Sequence, residues 1–282
     1  DVNFEGVVEG QDVTEYNNES INRARFGDYV QKFRRPWMVS DLQEASNPAG
    51  ISSEVAQSKS KAMREIKRDI EAAIGSDNEM QQDNSSVAWR FRGLGKWIQA
   101  TAQSVNPVPT LFLTPAASID ATATGSLTES LFNDVFQSIF QVIGGRRDYK
   151  LFAGPSLKRA ISNFQRATGT SGTTKTYQVT QDATDQSITL NVTQYSGDFA
   201  DVTVIPDMFN GLVTGSSVTG VTNQQKARGY VINPDLVGIS YMIGMQAVEL
   251  PNMGGGRRGF VNAALTLMVK NPKGLGKFAA TS

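Results

Sequence analysis

The side chains of this chain that could carry out chemistry are carboxylates, hydroxyls and amines, because its 282 residues include no His and no Cys. Histidine is the usual proton shuttle near neutral pH, and Cys and His are the usual ligands of soft metals. Their absence excludes thiol chemistry and a disulfide scaffold. Catalysis by Asp, Glu, Ser, Lys or Tyr stays open in principle, but the composition favours a protein that is not an enzyme.

Two arrangements resemble catalytic sites and lack an essential part. Asp182 and Asp185 could serve as the paired carboxylates of a glycosidase, but they lie in a stretch rich in Thr, Gln and Ser without aromatic support. Ser156 follows Gly154-Pro155, so it lacks the G-x-S-x-G frame of a nucleophile and has no His as base. No EF-hand spacing is present either. We therefore predict no catalytic, cofactor or metal site.

A short glycine motif occurs twice, as Gly93-Leu94-Gly95-Lys96 and as Gly274-Leu275-Gly276-Lys277. Each copy suggests a phosphate-binding loop, but neither has the full G-x-x-x-x-G-K-[ST] frame. Trp97 and Phe278 stand where the magnesium-binding hydroxyl would be required. We interpret both copies as turn glycines.

Charge is distributed in zones, although the net charge is zero. Residues 1–20 contain acids and no base, namely Asp1, Glu5, Glu9, Asp12, Glu15 and Glu19. Residues 23–35 reverse the sign, with Asp28 as the single acid beside Arg23, Arg25, Lys32, Arg34 and Arg35. After Glu249 only bases occur. Zones of opposite sign suit complementary contacts between subunits, and an ordinary solvated surface is the alternative interpretation.

These charges lie on two elements of the N-terminal part. Residues 5–40 are charged and extended, and residues 21–33 have the pattern of a long polar strand after a turn region at 15–19. Such a hairpin buries too little apolar surface to be stable alone, so we expect it to lie on a neighbouring molecule. Residues 51–74 have apolar side chains at helical spacing, and Gly75 is the expected stop.

The rest of the chain predicts an α+β fold. Ser126 with Glu129 has the pattern of a capping box, and Gly144 ends the helix that follows. A strand at 149–153 leads into a short helix, and residues 170–228 read as β-hairpins and loops.

The clearest pattern closes the chain. Residues 237–250 and 258–270 alternate in polarity and predict an antiparallel pair with one face toward a core. The helix at 51–74 is the expected cover of that face, which makes residues 101–235 an inserted lobe. The longest apolar run, residues 236–248, is too short to cross a bilayer.

This order of parts resembles the major capsid proteins of tailed bacteriophages, whose fold is shared with encapsulins. The similarity is carried by residues 62–71 (AMREIKRDIE), 91–98 (FRGLGKWI), 151–164 (LFAGPSLKRAISNF) and 255–260 (GGRRGF), followed by Leu265-Thr266-Leu267 and Asn271-Pro272. The shared order over nearly the whole chain is more specific than any one motif.

The resemblance implies a tailed-phage major capsid protein fold with three parts. Residues 1–40 would be the extended loop, with a truncated N-terminal arm that is disordered, removed during maturation or left out. Residues 41–100, including a spine helix at 51–74, and residues 236–282, with the return strands and the C-terminus, would form the peripheral domain. Residues 101–235 would form the axial domain around the fivefold and local sixfold axes.

The resemblance also implies a function. The chain would be the structural protein of the virion that self-assembles, as pentamers and hexamers, into an icosahedral capsid enclosing double-stranded phage DNA. It would need no cofactor and no membrane, would be assembled in the host bacterial cytoplasm and would meet portal, scaffold and decoration proteins. Its contact with packaged DNA would be weak and independent of base sequence.

We expect the charged and aromatic side chains of the loop and of the spine helix to meet across the boundary between subunits, with the aromatic ones buried on a neighbour. The candidates are Glu15, Glu19, Arg23, Arg25, Tyr29, Phe33, Arg34, Arg35, Trp37, Lys61, Arg64, Glu65 and Arg68. Two alternatives remain open at this stage. One is an encapsulin-like compartment shell with a protein cargo, and the other is a glycan-binding phage protein that uses residues 170–228.

Overall fold

The computed structural model describes residues 9–10, 12, 23–46, 50, 52–145, 147–164, 181–182, 187–188, 192–210 and 226–279. The helices are α1 (Asp41–Ala45), α2 (Glu54–Ile74), α3 (Leu94–Trp97), α4 (Glu129–Ile143) and α5 (Pro155–Asn163). The strands are β1 (Gln31–Val39), β2 (Ile119–Asp120), β3 (Arg147–Ala153), β4 (Gln181–Asp182), β5 (Ser187–Ile188), β6 (Gln194–Ser196), β7 (Ala200–Pro206), β8 (Arg228–Ile232), β9 (Val237–Leu250), β10 (Arg257–Val269) and β11 (Gly276–Ala279). This mixture confirms the predicted α+β fold. Among the described helices, none has the length and apolar composition needed to span a bilayer.

The first sheet has the order β1-β10-β9, and both pairings are antiparallel. The predicted strand pair at the end of the chain is therefore confirmed. Its inner face is formed mainly by β10, in which Val261, Ala263 and Leu265 are each at most 1% exposed. The register of β9 places Ile239 and Tyr241 on the same face as the buried Leu267 and Leu265, as predicted, and Val237 and Met245 pack against the core. Because β9 is an outer strand, however, Ile239 and Tyr241 are 43% and 54% exposed.

The strand predicted over residues 21–33 begins later and lies elsewhere. β1 starts at Gln31, continues to Val39 and pairs with β10 of the same chain. The predicted turn region at 15–19 lies outside the described residues. Residues 31–39 are therefore part of the body of the protomer and not of a projecting hairpin.

Helix α2 covers the inner face of this sheet, as predicted. It begins three residues later than expected, because the Ser53 side chain accepts a hydrogen bond from the N–H of Ala56, and it ends at Gly75. Its buried side chains Ala62, Ile66 and Ile70 belong to the same core as the inner residues of β1 and β10. An amphipathic helix packed on a sheet in this way buries one stripe and leaves its charged face in solvent.

The second sheet has the order β2-β11-β8-β3-β7-β6. β3 runs parallel to β7 and antiparallel to β8, and the apolar faces of α4 and α5 pack on this sheet in a second core. Helix α4 begins two residues later than predicted, because Thr128, and not Ser126, accepts the hydrogen bond from the N–H of Leu131. Its end at Gly144, which has φ 75°, agrees with the prediction.

The two sheets do not follow the predicted domain boundary near the C-terminus. β11 belongs to residues 236–282 in sequence but pairs with β8 and β2 in the second sheet. Most of residues 170–228, predicted as hairpins and loops, lie outside the described residues. Within the described part, β4 pairs with β5 and β6 pairs with β7, both antiparallel.

Candidate intersubunit surface

The described end of the leading segment, residues 23–30, lies against the body of its own protomer. Phe26 packs edge-on against Trp97 and Phe112, with ring centroids 6.4 and 5.5 Å apart, and Tyr29 packs on Trp89 at 4.7 Å. Arg23 and Arg25 remain exposed. Of the predicted contact residues, Glu15 and Glu19 lie outside the described residues.

Asp28 joins this segment to a buried ion pair. Its carboxylate accepts the backbone N–H groups of Tyr29 at 2.8 Å and of Arg92 at 3.0 and 3.1 Å. Arg92 is fully buried and contacts Glu79 Oε1 through Nε at 2.6 Å, with its guanidinium 4.7 Å from the centre of the Trp97 ring. Burial raises the pKa of Asp28 to about 6, although both N–H groups and the Arg92 charge act to lower it.

Two aromatic residues predicted to be buried on a neighbour are instead buried within the protomer. Phe33 and Trp37 are 8% and 6% exposed and belong to the core between α2 and the first sheet. The alternation of Phe33, Trp37 and Val39 with polar residues is typical of a core strand. The prediction of a strand over residues 21–33 ends before most of this pattern and so does not use it. Their contact role between subunits is therefore corrected to a role in the core.

The two arginines of β1 point to opposite faces of the first sheet. Arg34 is exposed, and its guanidinium lies 4.7 Å from the centre of the Phe260 ring. Arg35 faces α2 and forms an ion pair with Asp69, whose hydrogen bond raises the pKa of the Arg35 guanidinium. Arg34 is thus exposed, whereas Arg35 is half-buried and paired within the protomer.

Helix α2 presents a cationic stripe, formed by Lys61, Arg64 and Arg68, on the side away from the sheet. All three residues are exposed, and Glu65 beside them is half-buried. The spacing of three and four residues places the three cations on one face of the helix. The structure therefore brings these predicted contact residues together, and Arg34 lies on the opposite side of the sheet.

Charged side chains also join α1, α2 and the hairpin between β9 and β10. Arg257 contacts Glu44 at 3.2 Å and Glu249 at 3.4 Å, and Lys59 contacts Glu249 as well. The Lys59 ammonium is the main cause that lowers the pKa of Glu249. This group is solvent-exposed, so each pair contributes little to stability.

The outer strand β9 carries a row of exposed apolar side chains along its length, distributed over both faces of the sheet. Within the described residues its only strand partner is β10, so one edge of a 14-residue strand is unpaired. The large apolar side chains along it and at the hairpin tip are Ile239 (43% exposed), Tyr241 (54%), Met242 (76%), Leu250 (43%) and Met253 (79%). A long apolar edge strand readily pairs with another chain.

A cavity of about 430 Å³ opens where the end of α2 meets the second sheet. Its wall is mainly apolar, and Lys67, Glu71, Lys150 and Asp207 also line it. Burial raises the pKa of Asp207, and burial together with the Asp207 charge raises that of Glu71. No local pattern in the sequence indicates this cavity, because its lining comes from elements more than one hundred residues apart.

The two glycine motifs pack against each other. Lys277 Nζ is buried, its pKa is lowered by burial to about 8, and it donates to the carbonyl of Gly95 at 2.9 Å. A Cβ at Gly95 would overlap Asp77 Oδ1 and lie 2.7 Å from Tyr230 Oη. The glycines are required for close packing more than for turns. In the described part of the chain, no group of three or more acidic side chains is placed to hold a metal ion.

The comparison with protein families decides the identity. The profile of the SU10 major capsid protein matches residues 5–282, almost the whole chain. The chain belongs to the SU10 major capsid protein family. A major capsid protein is the structural subunit of a phage head, which agrees with the long exposed strand β9. Comparison with curated proteins gives no match.

Solved structures confirm the capsid fold of this major capsid protein. The capsid structure of cyanophage P-SCSP1u has a TM-score of 0.53 at 12% identity and covers 97% of this chain and 81% of the other. The structure of Gordonia phage Cozz has a TM-score of 0.50 at 16% identity and covers 99% of this chain and 79% of the other. The SrpI encapsulin complex from Synechococcus elongatus PCC 7942 has a TM-score of 0.51 at 11% identity and covers 89% of this chain and 73% of the other. At such identities the likeness concerns the fold alone.

Proposed function

We propose that this capsid protein closes into an icosahedral shell of pentamers and hexamers around double-stranded DNA, through contacts made by its leading segment and by β9. The observation that carries the proposal is the exposed apolar row of β9. Soluble monomers rarely keep a long apolar edge strand uncovered, because it pairs with other chains. A neighbouring copy would cover this strand in the shell.

The contact residues in this proposal are those that the protomer leaves exposed. Charge complementarity across a boundary steers association and fixes register, so exposed cations facing an acidic leading segment would orient neighbouring copies. These cations are Arg23, Arg25, Arg34, Lys61, Arg64 and Arg68. The acidic partners would be Glu15 and Glu19 of an adjacent copy. Phe33, Trp37 and Arg35 serve the protomer itself and are left out of this set.

The domain roles are part of the proposal. The residues before Arg23 would lie on an adjacent subunit, the α2 layer with the first sheet would form the peripheral domain, and the second sheet would form the axial domain. The shell would assemble in the host cytoplasm together with portal, scaffold and decoration proteins. The cationic stripe would make weak, salt-dependent contact with packaged DNA. The chain would have no enzymatic activity.

Deleting part of the leading segment tests its role. Removal of residues 8–30 should leave soluble subunits that form no closed shells, measured by size-exclusion chromatography and negative-stain microscopy. Removal of 8–22 alone keeps the packed residues 26–29 and should have the same effect on assembly. Closed shells from both deletions would contradict the proposal.

A point substitution tests β9 separately. Met242→Lys puts a charge on the exposed row, and Met208→Lys is the matched control, since Met208 is 57% exposed and lies outside this strand. We expect Met242→Lys to fold and to fail in shell formation, and Met208→Lys to form shells. Shells from both variants would exclude β9 as a contact. Shells that enclose a protein cargo and no DNA would favour the compartment alternative.

A further inference from the structure

The face of the first sheet that points away from α2 carries exposed side chains along β1 and β9. We call it the outer face, and the registers of β1, β10 and β9 define its members. They alternate along β10 with Val261, Ala263 and Leu265, which point into the core. The members with a role in docking are Lys32, Arg34 and Met38 of β1, Arg258 and Phe260 of β10, and Leu250 of β9.

The outer face carries cations and no acid. Glu249 is the only acid in its three strands, and it lies on the opposite face, where it contacts Lys59 of α2. Lys32 and Arg34 are exposed, and neither forms an ion pair within the part of the chain that the structure describes. Two residues apart on one side of a strand, they stand about 7 Å from each other, so their charges repel. An anionic partner would relieve this repulsion.

The outer face also exposes apolar side chains next to these cations. Met38 and Leu250 are exposed, and the Phe260 ring lies in the neighbouring row of the sheet with the Arg34 guanidinium 4.7 Å from its centre. Helix α2, on the other side of the sheet, mixes acids with its cations, and its one large exposed apolar side chain is Met63. A partner that combines acids with apolar side chains therefore fits the outer face better than it fits α2.

The leading part of the chain has this combination. Residues 1–22 contain six acids and no base, and the apolar side chains among them are Val2, Phe4, Val7, Val8, Val13 and Tyr16. The described residues that follow are fixed on the core side of the sheet, since Phe26 packs on Trp97 and Phe112. Fully extended, 22 residues would span at most about 75 Å, which is enough to reach a second copy.

We propose that the acidic residues 1–22 of one copy dock on the outer face of the first sheet of a second copy, with Lys32 and Arg34 as the cations that fix their register. This docking rests on the proposed function and narrows it, because the leading segment binds the sheet and not the cationic stripe of α2. The stripe then stays available to packaged DNA. Apolar contact with Met38, Phe260 and Leu250 supplies most of the affinity, since each exposed ion pair contributes little, whereas like charges that meet across a boundary oppose binding strongly.

Charge reversal in two separate copies tests this docking, with closed shells scored by light scattering and negative-stain microscopy. The face variant is Lys32→Glu with Arg34→Glu. The segment variant, whose leading residues become net positive, combines Glu5→Lys, Glu9→Lys, Glu15→Lys and Glu19→Lys. Each variant alone should form no closed shells, because like charges then meet. A one-to-one mixture should form shells, since each reversed surface finds a complementary one on the other variant.

Two further variants show whether the rescue is specific. Lys61→Glu with Arg64→Glu reverses the stripe of α2, and Arg159→Glu reverses an exposed base of α5. Mixed with the segment variant, neither should restore shells. If the face variant does not fold, Lys32→Gln with Arg34→Gln should still lower the yield of shells severalfold, and an unchanged yield would overturn the docking.

The other outcomes also decide the question. Rescue by the α2 variant would place the leading segment on the stripe, and rescue only when both reversals share one chain would place it on its own sheet; either result overturns the docking. Closed shells from the face variant alone, or none from its mixture with the segment variant, would overturn it too. If such a result accompanies loss of shells on removal of residues 8–22, the proposed function stands and only this docking fails.

Discussion

Arg35 and Asp69 form a two-point ion pair, with Nε to Oδ2 at 2.6 Å and Nη2 to Oδ1 at 2.7 Å. The pair joins β1 to the middle of α2 within one protomer. A guanidinium that meets a carboxylate at two points has a fixed geometry that Lys cannot reproduce. It therefore sets the position of the first described strand on the spine helix.

This pair should contribute modestly to stability. Arg35 and Asp69 side chains are 44% and 34% exposed, so solvent screens the interaction and we expect a coupling energy of about 0.5–1 kcal/mol. The measurement is a double-mutant cycle of Arg35→Met and Asp69→Asn by urea unfolding, with Arg35→Lys as a further variant. Additive single effects would show that the two side chains do not interact.

Trp37 should stabilise the fold of the isolated subunit and not only the assembled shell. Trp37→Ala removes a ring that is 6% exposed, so we expect a loss of about 3–5 kcal/mol in the free energy of unfolding. Met38→Ala is the matched control, because Met38 follows Trp37 on the same strand but is 64% exposed. Its substitution should therefore change stability little. If Trp37 were a contact between subunits, its substitution would leave the unfolding of dissociated subunits unchanged.

Gly95 should not tolerate a methyl group. In Gly95→Ala the new Cβ would overlap Asp77 Oδ1 and crowd Tyr230, whose hydroxyl donates to the carbonyl of Gly75. We expect a destabilisation of about 1–3 kcal/mol, typical of overpacking. Gly125→Ala is the control, since nothing lies within 4 Å of its Cβ position. Equal unfolding midpoints for the two variants would show that close packing is not the reason for this glycine.

Periodicity predicted the elements whose burial is local to one helix or strand. The stripe of α2 and the alternation of β10 each specify one buried face, and the structure places both in the same core. For β9 the same reasoning predicted which face turns inward but not how much of it is exposed, because alternation cannot distinguish an inner strand from an outer one. That distinction depends on β1, which takes the other side of β10.

Features that depend on contacts between distant parts of the chain could not be predicted from the sequence. The capping box of Ser126 and Glu129 is complete in the sequence, but the helix begins after Thr128, whose backbone is extended and whose side chain accepts the N–H of Leu131. The buried pair of Arg92 and Glu79 joins residues 13 positions apart in the chain, and no periodic pattern marks the two as partners. The ionisable wall of the cavity beside α2 depends on β7 ending next to that helix, which no local pattern encodes.

Asp207 in this wall should make stability depend on pH. Its carboxylate accepts the N–H of Phe209 at 2.9 Å, but burial raises its pKa, and its charge raises the pKa of Glu71 across the cavity. An acid with a raised pKa stabilises the fold below its ordinary pKa, and this contribution is lost as pH rises through the raised value. Wild-type protein should therefore lose stability relative to Asp207→Asn between pH 4 and pH 7, measured as the difference in urea midpoints. The exposed Asp235→Asn should give a constant difference from wild type, and a constant difference for Asp207→Asn as well would refute the assignment.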